Sequence, residues 1–293
     1  MNGSVSPPGT FTLRRGLDRL RTSAMVKQSL LVFAAGMVLN VSGFIAHAVA
    51  SRKLGVTEYG GLYALINAAL IASLPAAFVA PVVAQLAAEF RALRDDGHLR
   101  GLTDSIAAGF LKLGVIYLVV ATLGAFPFAR FLHVPVWSVP FVGLLAGSAL
   151  SLNALRAIAQ GTQDFVGYSF STAAEGVAKV VGIVTLIAIG LKLGGAMLGF
   201  FLGPLCALIY LARRLKRRYS VSEPHSVRYD WRRILNAGAG AAAATIAIAL
   251  MGSADVVLVK HYFAPHEAGL YAAASLGGKM LLYVVGFVPT VLL

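Results

Sequence analysis

The sequence predicts an all-α, polytopic helical membrane protein of about eight transmembrane helices, and three observations predict it. Hydrophobic residues make up 58% of the chain and charged residues only 13%, against roughly 25% charged in an ordinary soluble domain. Eight apolar runs reach about 20 residues, the length a helix needs to cross a bilayer. The basic residues behind the net charge of +13 bunch at the ends of those runs, which is the membrane pattern rather than the nucleic-acid one. With a mean hydropathy of +0.78, the chain cannot cover itself with polar surface. A soluble enzyme, a disordered chain, a disulfide-built secreted domain and a nucleic-acid partner are therefore excluded. The single cysteine, Cys206, allows neither an internal disulfide nor a cysteine-based metal cluster.

Residues 1–28 form a basic arm with Pro7, Pro8 and four arginines, expected to be flexible, cytosolic and in touch with anionic lipid. The first apolar run, 29–50, is too long for a typical signal core and is preceded by mixed sequence, so it is read as a retained span. Runs 62–88, 105–132, 140–159, 171–191 and 194–212 follow and complete a first lobe, 29–212. A basic cytosolic loop, 213–233, is the longest connection. Runs 234–259 and 269–293 then open a second, incomplete lobe, 234–293. With the N-terminus inside, the inner side holds 17 basic residues, eight of them between Arg213 and Arg233, and the outer side holds five: Arg52, Lys53, Arg130, Lys192 and Lys260. That asymmetry sets the orientation.

Two stretches repeat each other. Glu58-Tyr59-Gly60-Gly61-Leu62-Tyr63-Ala64 and Glu267-Ala268-Gly269-Leu270-Tyr271-Ala272 both read E-x-G-L-Y-A once a glycine is inserted, with the tyrosines 208 residues apart. Six spans lie between the copies, so both have the same orientation, as in a parallel transporter repeat. The chain then stops at Val291-Leu292-Leu293, inside an apolar run and without a basic anchor, and is read as C-terminally truncated.

Four segments together resemble the polysaccharide-biosynthesis flippases of the multidrug/oligosaccharidyl-lipid/polysaccharide exporter superfamily. Arg52-Lys53-Leu54-Gly55-Val56-Thr57-Glu58-Tyr59-Gly60 is similar to the family's R-x-L-G-x-x-E-Y-G after the first span. Arg156 with Gln160-Gly161-Thr162-Gln163-Asp164-Phe165 resembles its R-x-x-x-Q-G-x-x-x-F after the fourth. Gly190 to Gly203 looks like its small-residue hairpin. Ser253-Ala254-Asp255-Val256-Val257-Leu258-Val259-Lys260 through Gly269-Leu270-Tyr271 resembles its D-x-x-L-V-x…A-G-x-Y segment. The resemblance covers nearly the whole chain, but members usually have 12 or 14 spans, and most of the second lobe has no counterpart here. It implies a two-lobed exporter in a bacterial inner membrane that moves an undecaprenyl-diphosphate-linked oligosaccharide from the inner to the outer leaflet. It also implies work beside a polysaccharide polymerase and a chain-length regulator, with no cofactor.

A diphosphate needs cations, and charges inside spans are functional suspects because they are expensive there. The candidates are Arg52 and Lys53 at the outer end of the first span, Arg156 near the inner end of the fourth, Lys179 in the fifth and Lys279 in the eighth. Snorkelling to the interface is the competing reading for Arg52, Lys53 and Lys112, and border anchoring for Arg156. Lys179 follows Glu175 by four residues, the spacing and order of an intrahelical pair. Lys279 has no acidic residue within one turn and is the best cavity candidate. Asp255 and Glu175 are candidates for ion coupling, with capping toward Lys260 or exposure to water as the plain alternative for Asp255. His47 titrates near neutral pH in isolation, but a satisfied or water-facing histidine is the plainer reading. Asn40 and Ser42 are expected to hydrogen-bond across helices, and Gly195, Gly199 and Gly203 to form a close-packing face. Pro75, Pro81 and Pro204 are expected to kink their spans.

Other strings carry less. Gly238-Ala239-Gly240 lacks the strand a nucleotide fold needs, Asp95-Asp96 has no second acidic cluster with which to hold a metal, and no P-loop occurs. Outward movement of an anion is favoured by the membrane potential at about 2.3 kcal/mol per charge per 100 mV. The alternatives are a multidrug or cation antiporter of the same fold, which would favour acidic or aromatic cavities, and a membrane-embedded glycan-pathway enzyme, which would need acidic catalytic loops or large outer loops.

Overall fold

The computed structural model describes residues 24–220 and 231–285. Almost all of the expected N-terminal arm, the middle of the basic loop and the end of the eighth run lie outside the described residues. Among the described residues there are nine α-helices, one 3₁₀ turn and no strand. Helix α1 spans Ala24–Ala72, α2 Ala76–Ala92, α3 Asp96–Leu123, α4 Ala125–Leu132, α5 Val139–Gly161, α6 Phe165–Ala188, α7 Lys192–Arg218, α8 Trp231–Tyr262 and α9 Pro265–Val285, with the 3₁₀ turn at Val136–Ser138.

Six of these helices are long and apolar enough to cross a membrane, including parts of α1 and α8. The difference from eight runs has physical causes. The first run and the start of the second form one continuous element, α1, broken only at Gly55 (φ 77°, ψ 169°). Those angles belong to glycine alone. The chain reverses there: Tyr59 and His47, 12 residues apart, share a 3.3 Å hydrogen bond, whereas a straight helix would separate them by about 18 Å. The second run is itself divided, with a turn ending at Pro75 before α2, which carries Pro81 inside it. The third run is broken at Gly124, after which α4 leads into a left-handed His133 (φ 52°). The eighth begins as α9 and continues beyond the described residues.

Polar caps start the helices that border the membrane. Asp95 accepts from the His98 amide at 2.9 Å to open α3, so the paired aspartates are a cap and its neighbour. Asp164 does the same for α6 through the Gly167 amide at 3.1 Å. In lipid the helices gain little from a hydrophobic effect between them, so close packing carries the fold. Helix α5 is buried along most of its length and α7 along much of it, while α3 presents Val115, Ile116, Val119 and Val120 outward. The expected glycine face of α7 is where α6 docks. A Cβ at Gly195 would sit 2.9 Å from the Leu186 carbonyl carbon, one at Gly199 2.5 Å from the Ile183 nitrogen, and one at Gly203 2.8 Å from the Glu175 oxygen.

Helices α8 and α9 pack against α1. The core lies in two clusters. One gathers Tyr59, Leu62, Tyr63, Leu132, Met197 and Val256 toward the Gly55 turn. The other gathers Leu99, Leu155, Ile158, Leu211 and Tyr219 toward the Asp164 turn. The two ends of the bundle are named here after these turns.

Candidate functional site

Ionisable side chains inside the bundle form a seam of two clusters joined by aromatic rings. The first cluster lies on α5 and α6. Glu175 stands between Arg156, whose Nη2 is 2.9 Å from Oε2, and Lys179, whose Nζ is 3.5 Å from Oε1; all three side chains are 12–15% exposed. Arg156 Nε donates to Ser171 Oγ at 3.2 Å. The Arg156–Glu175 contact is an ion pair without hydrogen-bond alignment, and both facing atoms are buried with no hydrogen-bond partner among the described residues. One carboxylate therefore serves two cations and leaves one positive charge over. Gly203 makes the space for it, since a Cβ there would approach Lys179 Cε to 3.3 Å.

The second cluster lies on α8 and α9. Tyr271 O–H donates to Asp255 Oδ2 at 2.9 Å. Lys279 Nζ is 3.8 Å from Asp255 Oδ1, and neither of those two atoms has a hydrogen-bond partner among the described residues. Lys279 has no acidic residue within one turn of its own helix, but Asp255, 24 residues away in sequence, meets it from the neighbouring helix because α8 and α9 form a hairpin. The Asp255 side chain, 32% exposed, is paired with Tyr271 and Lys279. Lys279 also lies 5.3 Å over the Tyr63 ring of α1, which ties the second cluster to α1.

His47 of α1 stands between the clusters. Its ring is 5.4 Å from that of Tyr63 and 5.0 Å from that of Phe200, and Lys179 Nζ is 5.8 Å over Phe200. Lys179 and Lys279 therefore each lie over an aromatic ring that touches His47. The i,i+4 spacing of Glu175 and Lys179 was legible in the sequence. The position of His47 was not, because a single histidine in a span carries no sign of its neighbours.

Arg52 and Lys53 are exposed beside the Gly55 turn and take no part in the seam, and Lys112 is exposed on α3. Lys260, counted above as an outer border charge, is only 3% exposed. Asn40 is exposed rather than bonded across helices, and Ser42 packs on Gly176, where an added Cβ would come within 3.0 Å, without an interhelical hydrogen bond. No group of acidic, histidine or cysteine side chains suited to a metal occurs among the described residues.

The Asp164 end is held by a separate set of charges. Asp164 is 2% exposed and accepts from Arg214 Nε at 2.8 Å and Nη2 at 2.9 Å, with Arg218 Nη1 at 3.1 Å. Burial opposes its ionisation, but the two arginines and the Gly167 amide outweigh that and hold its carboxyl below the usual carboxylate range. Asp104 bridges Arg100 at 2.8 Å and Lys216 at 2.7 Å, and Arg100 Nη1 donates to the Lys216 carbonyl at 2.6 Å. These contacts join α3, α6 and α7 where the sequence places its excess of basic residues.

The arrangement is that of a multi-pass helical membrane protein with a charged interior seam. Among solved structures, the chain is similar to an inward-facing conformation of a multidrug resistance MATE family transporter of the MOP superfamily, with a TM-score of 0.61 and 13% identity over 84% of this chain. The chain spans 60% of that transporter's length. No protein-family model matches the sequence, and no curated protein matches it. At this identity the likeness is one of fold.

Proposed function

We propose that the protein is a membrane exporter, and that its cargo is a lipid-diphosphate-linked oligosaccharide carried from the inner to the outer leaflet for cell-surface polysaccharide synthesis. The observation that carries this reading is the charge of the seam. Arg156, Lys179 and Lys279 face two carboxylates, Glu175 and Asp255, so the interior is cationic even when both acids are ionised. A diphosphate supplies the missing negative charge, and arginine and lysine suit phosphate oxygens. The lipid tail would stay in the bilayer while the head group passes along the seam.

A multidrug exporter of the same fold is the second reading. It draws support from the MATE transporter likeness and from Glu175 and Asp255, the acids a cationic drug would seek. Expression in cells lacking an O-antigen or capsule flippase separates the two. Restored surface polysaccharide supports the first reading, and raised drug resistance without it supports the second. Arg156→Gln and Lys279→Gln should each reduce complementation by about tenfold or more, the loss of one charged hydrogen bond. Untouched flipping in both variants would remove the seam from the transport path.

A further inference from the structure

We propose that His47 is the proton-accepting member of an anion site spanning α1, α6 and α9, so that a doubly charged anion binds there together with a proton. The inference rests on the anionic-cargo reading above and adds a second ligand to it.

The geometry is as follows. His47 Nδ1 shares its hydrogen bond with the Tyr59 hydroxyl, which leaves Nε2 as the ring's second polar atom. The ring lies 5.0 Å from that of Phe200, over which Lys179 sits, and 5.4 Å from that of Tyr63, over which Lys279 sits. Among the described residues, the charged or titratable groups around it come from five helices. Tyr59 and Tyr63 come from α1 itself, Lys179 with its partner Glu175 from α6, Arg156 behind Glu175 from α5, and Lys279 with Asp255 and Tyr271 from α9 and α8. Helix α7 contributes only the apolar Phe200.

Two ammonium groups oppose a third positive charge on the ring. A dianion lodged between them reverses the local field, and an imidazolium then becomes a favourable third donor. The proton comes from solvent and enters on a ring nitrogen. Tyr59 turns its hydroxyl from donor to acceptor for Nδ1–H, and Nε2–H points at the anion. One N–H bond forms at the expense of an O–H bond of hydronium, and no bond between heavy atoms changes. Binding linkage is reciprocal: if the anion raises the proton affinity of His47, lower pH raises the affinity for the anion by the same factor.

Sulfate is the probe, because it is divalent and does not itself titrate near neutral pH. Its affinity for the detergent-solubilised full chain is measured by calorimetry between pH 8 and pH 6. The expected result is tighter binding as pH falls, approaching tenfold per pH unit at the limit of one linked proton. His47→Gln should bind with no such slope, and Lys279→Ala should bind at least about tenfold more weakly. His47→Asn serves as a second variant if the first does not fold. Sulfate binding that depends on Lys279 but has the same pH profile in wild type and His47 variants overturns the proton site and leaves the anionic-cargo reading standing. No sulfate or pyrophosphate binding by the wild type at any pH overturns both.

Discussion

Asp164 shows what one buried charge does in this protein. It sits at the membrane border, caps α6 and holds two arginines of α7. Removing it would leave those cations without their counter-charge, and broken buried pairs typically cost about 3–5 kcal/mol. Arg214 and Arg218 are 33% and 38% exposed, so water recovers part of that; Asp164→Asn should cost about 2 kcal/mol. Its carboxyl is held below the usual carboxylate range in the fold. Its contribution is therefore complete above the unfolded value, about pH 3.9, and is lost as pH falls through the lower folded value. Thermal unfolding of the detergent-solubilised protein from pH 7 to pH 3 should show that acid loss in the wild type and a smaller one in Asp164→Asn. At this scale the sequence is legible only where partners are near neighbours. Glu175 and Lys179 are one turn apart and could be read; Arg156 on another helix, and Lys279 opposite Asp255, could not. Spacing along a chain says nothing about helices that have yet to pack.

Among the elements, α1 departs most from its hydropathy. The apolar run stops at Arg52 and Lys53, which suggested a loop, yet the backbone stays helical and turns at Gly55 alone. Hydropathy averages over a window and cannot see one residue with a positive φ. The glycine face of α7 was legible because a four-residue spacing of small side chains has one dominant use in membrane helices. The two kinds of glycine predict different failures. Gly55→Ala places a side chain in a region of backbone space reserved for glycine, at a cost of about 1–3 kcal/mol. Gly199→Leu places a side chain against the Ile183 backbone and should destabilise more, because α6 would have to move off α7 along its length. Fluorescence-detected size exclusion after heating would rank the variants, and equal losses would contradict this division.

At the scale of the whole molecule, the bundle closes at its Gly55 end through contacts of α1 and α4 with α8 and α9. Phe131 of α4 stacks on His261 of α8 with ring centroids 4.0 Å apart. The matched E-x-G-L-Y-A segments, detected as a repeat, lie directly against each other: a Cβ at Gly60 would be 2.9 Å from Gly269 Cα, and one at Gly269 would overlap the Val56 carbonyl. The sequence showed the likeness of the segments and not their contact, since similarity carries no information about distance. Gly269→Ala should push α9 away from α1 at this end. Spin labels at the exposed Glu58 and Glu267, in a Cys206→Ser background, would report a longer distance; an unchanged distance would mean that the glycine contact does not set the spacing.

That contact bears on heredity as well as packing. When two matched segments meet glycine to glycine, neither can gain bulk unless the other yields. Substitutions in one copy then become conditional on the state of the other, and the two cannot diverge independently. In a protein assembled by duplication, the touching pair would be the last place where the common ancestry fades.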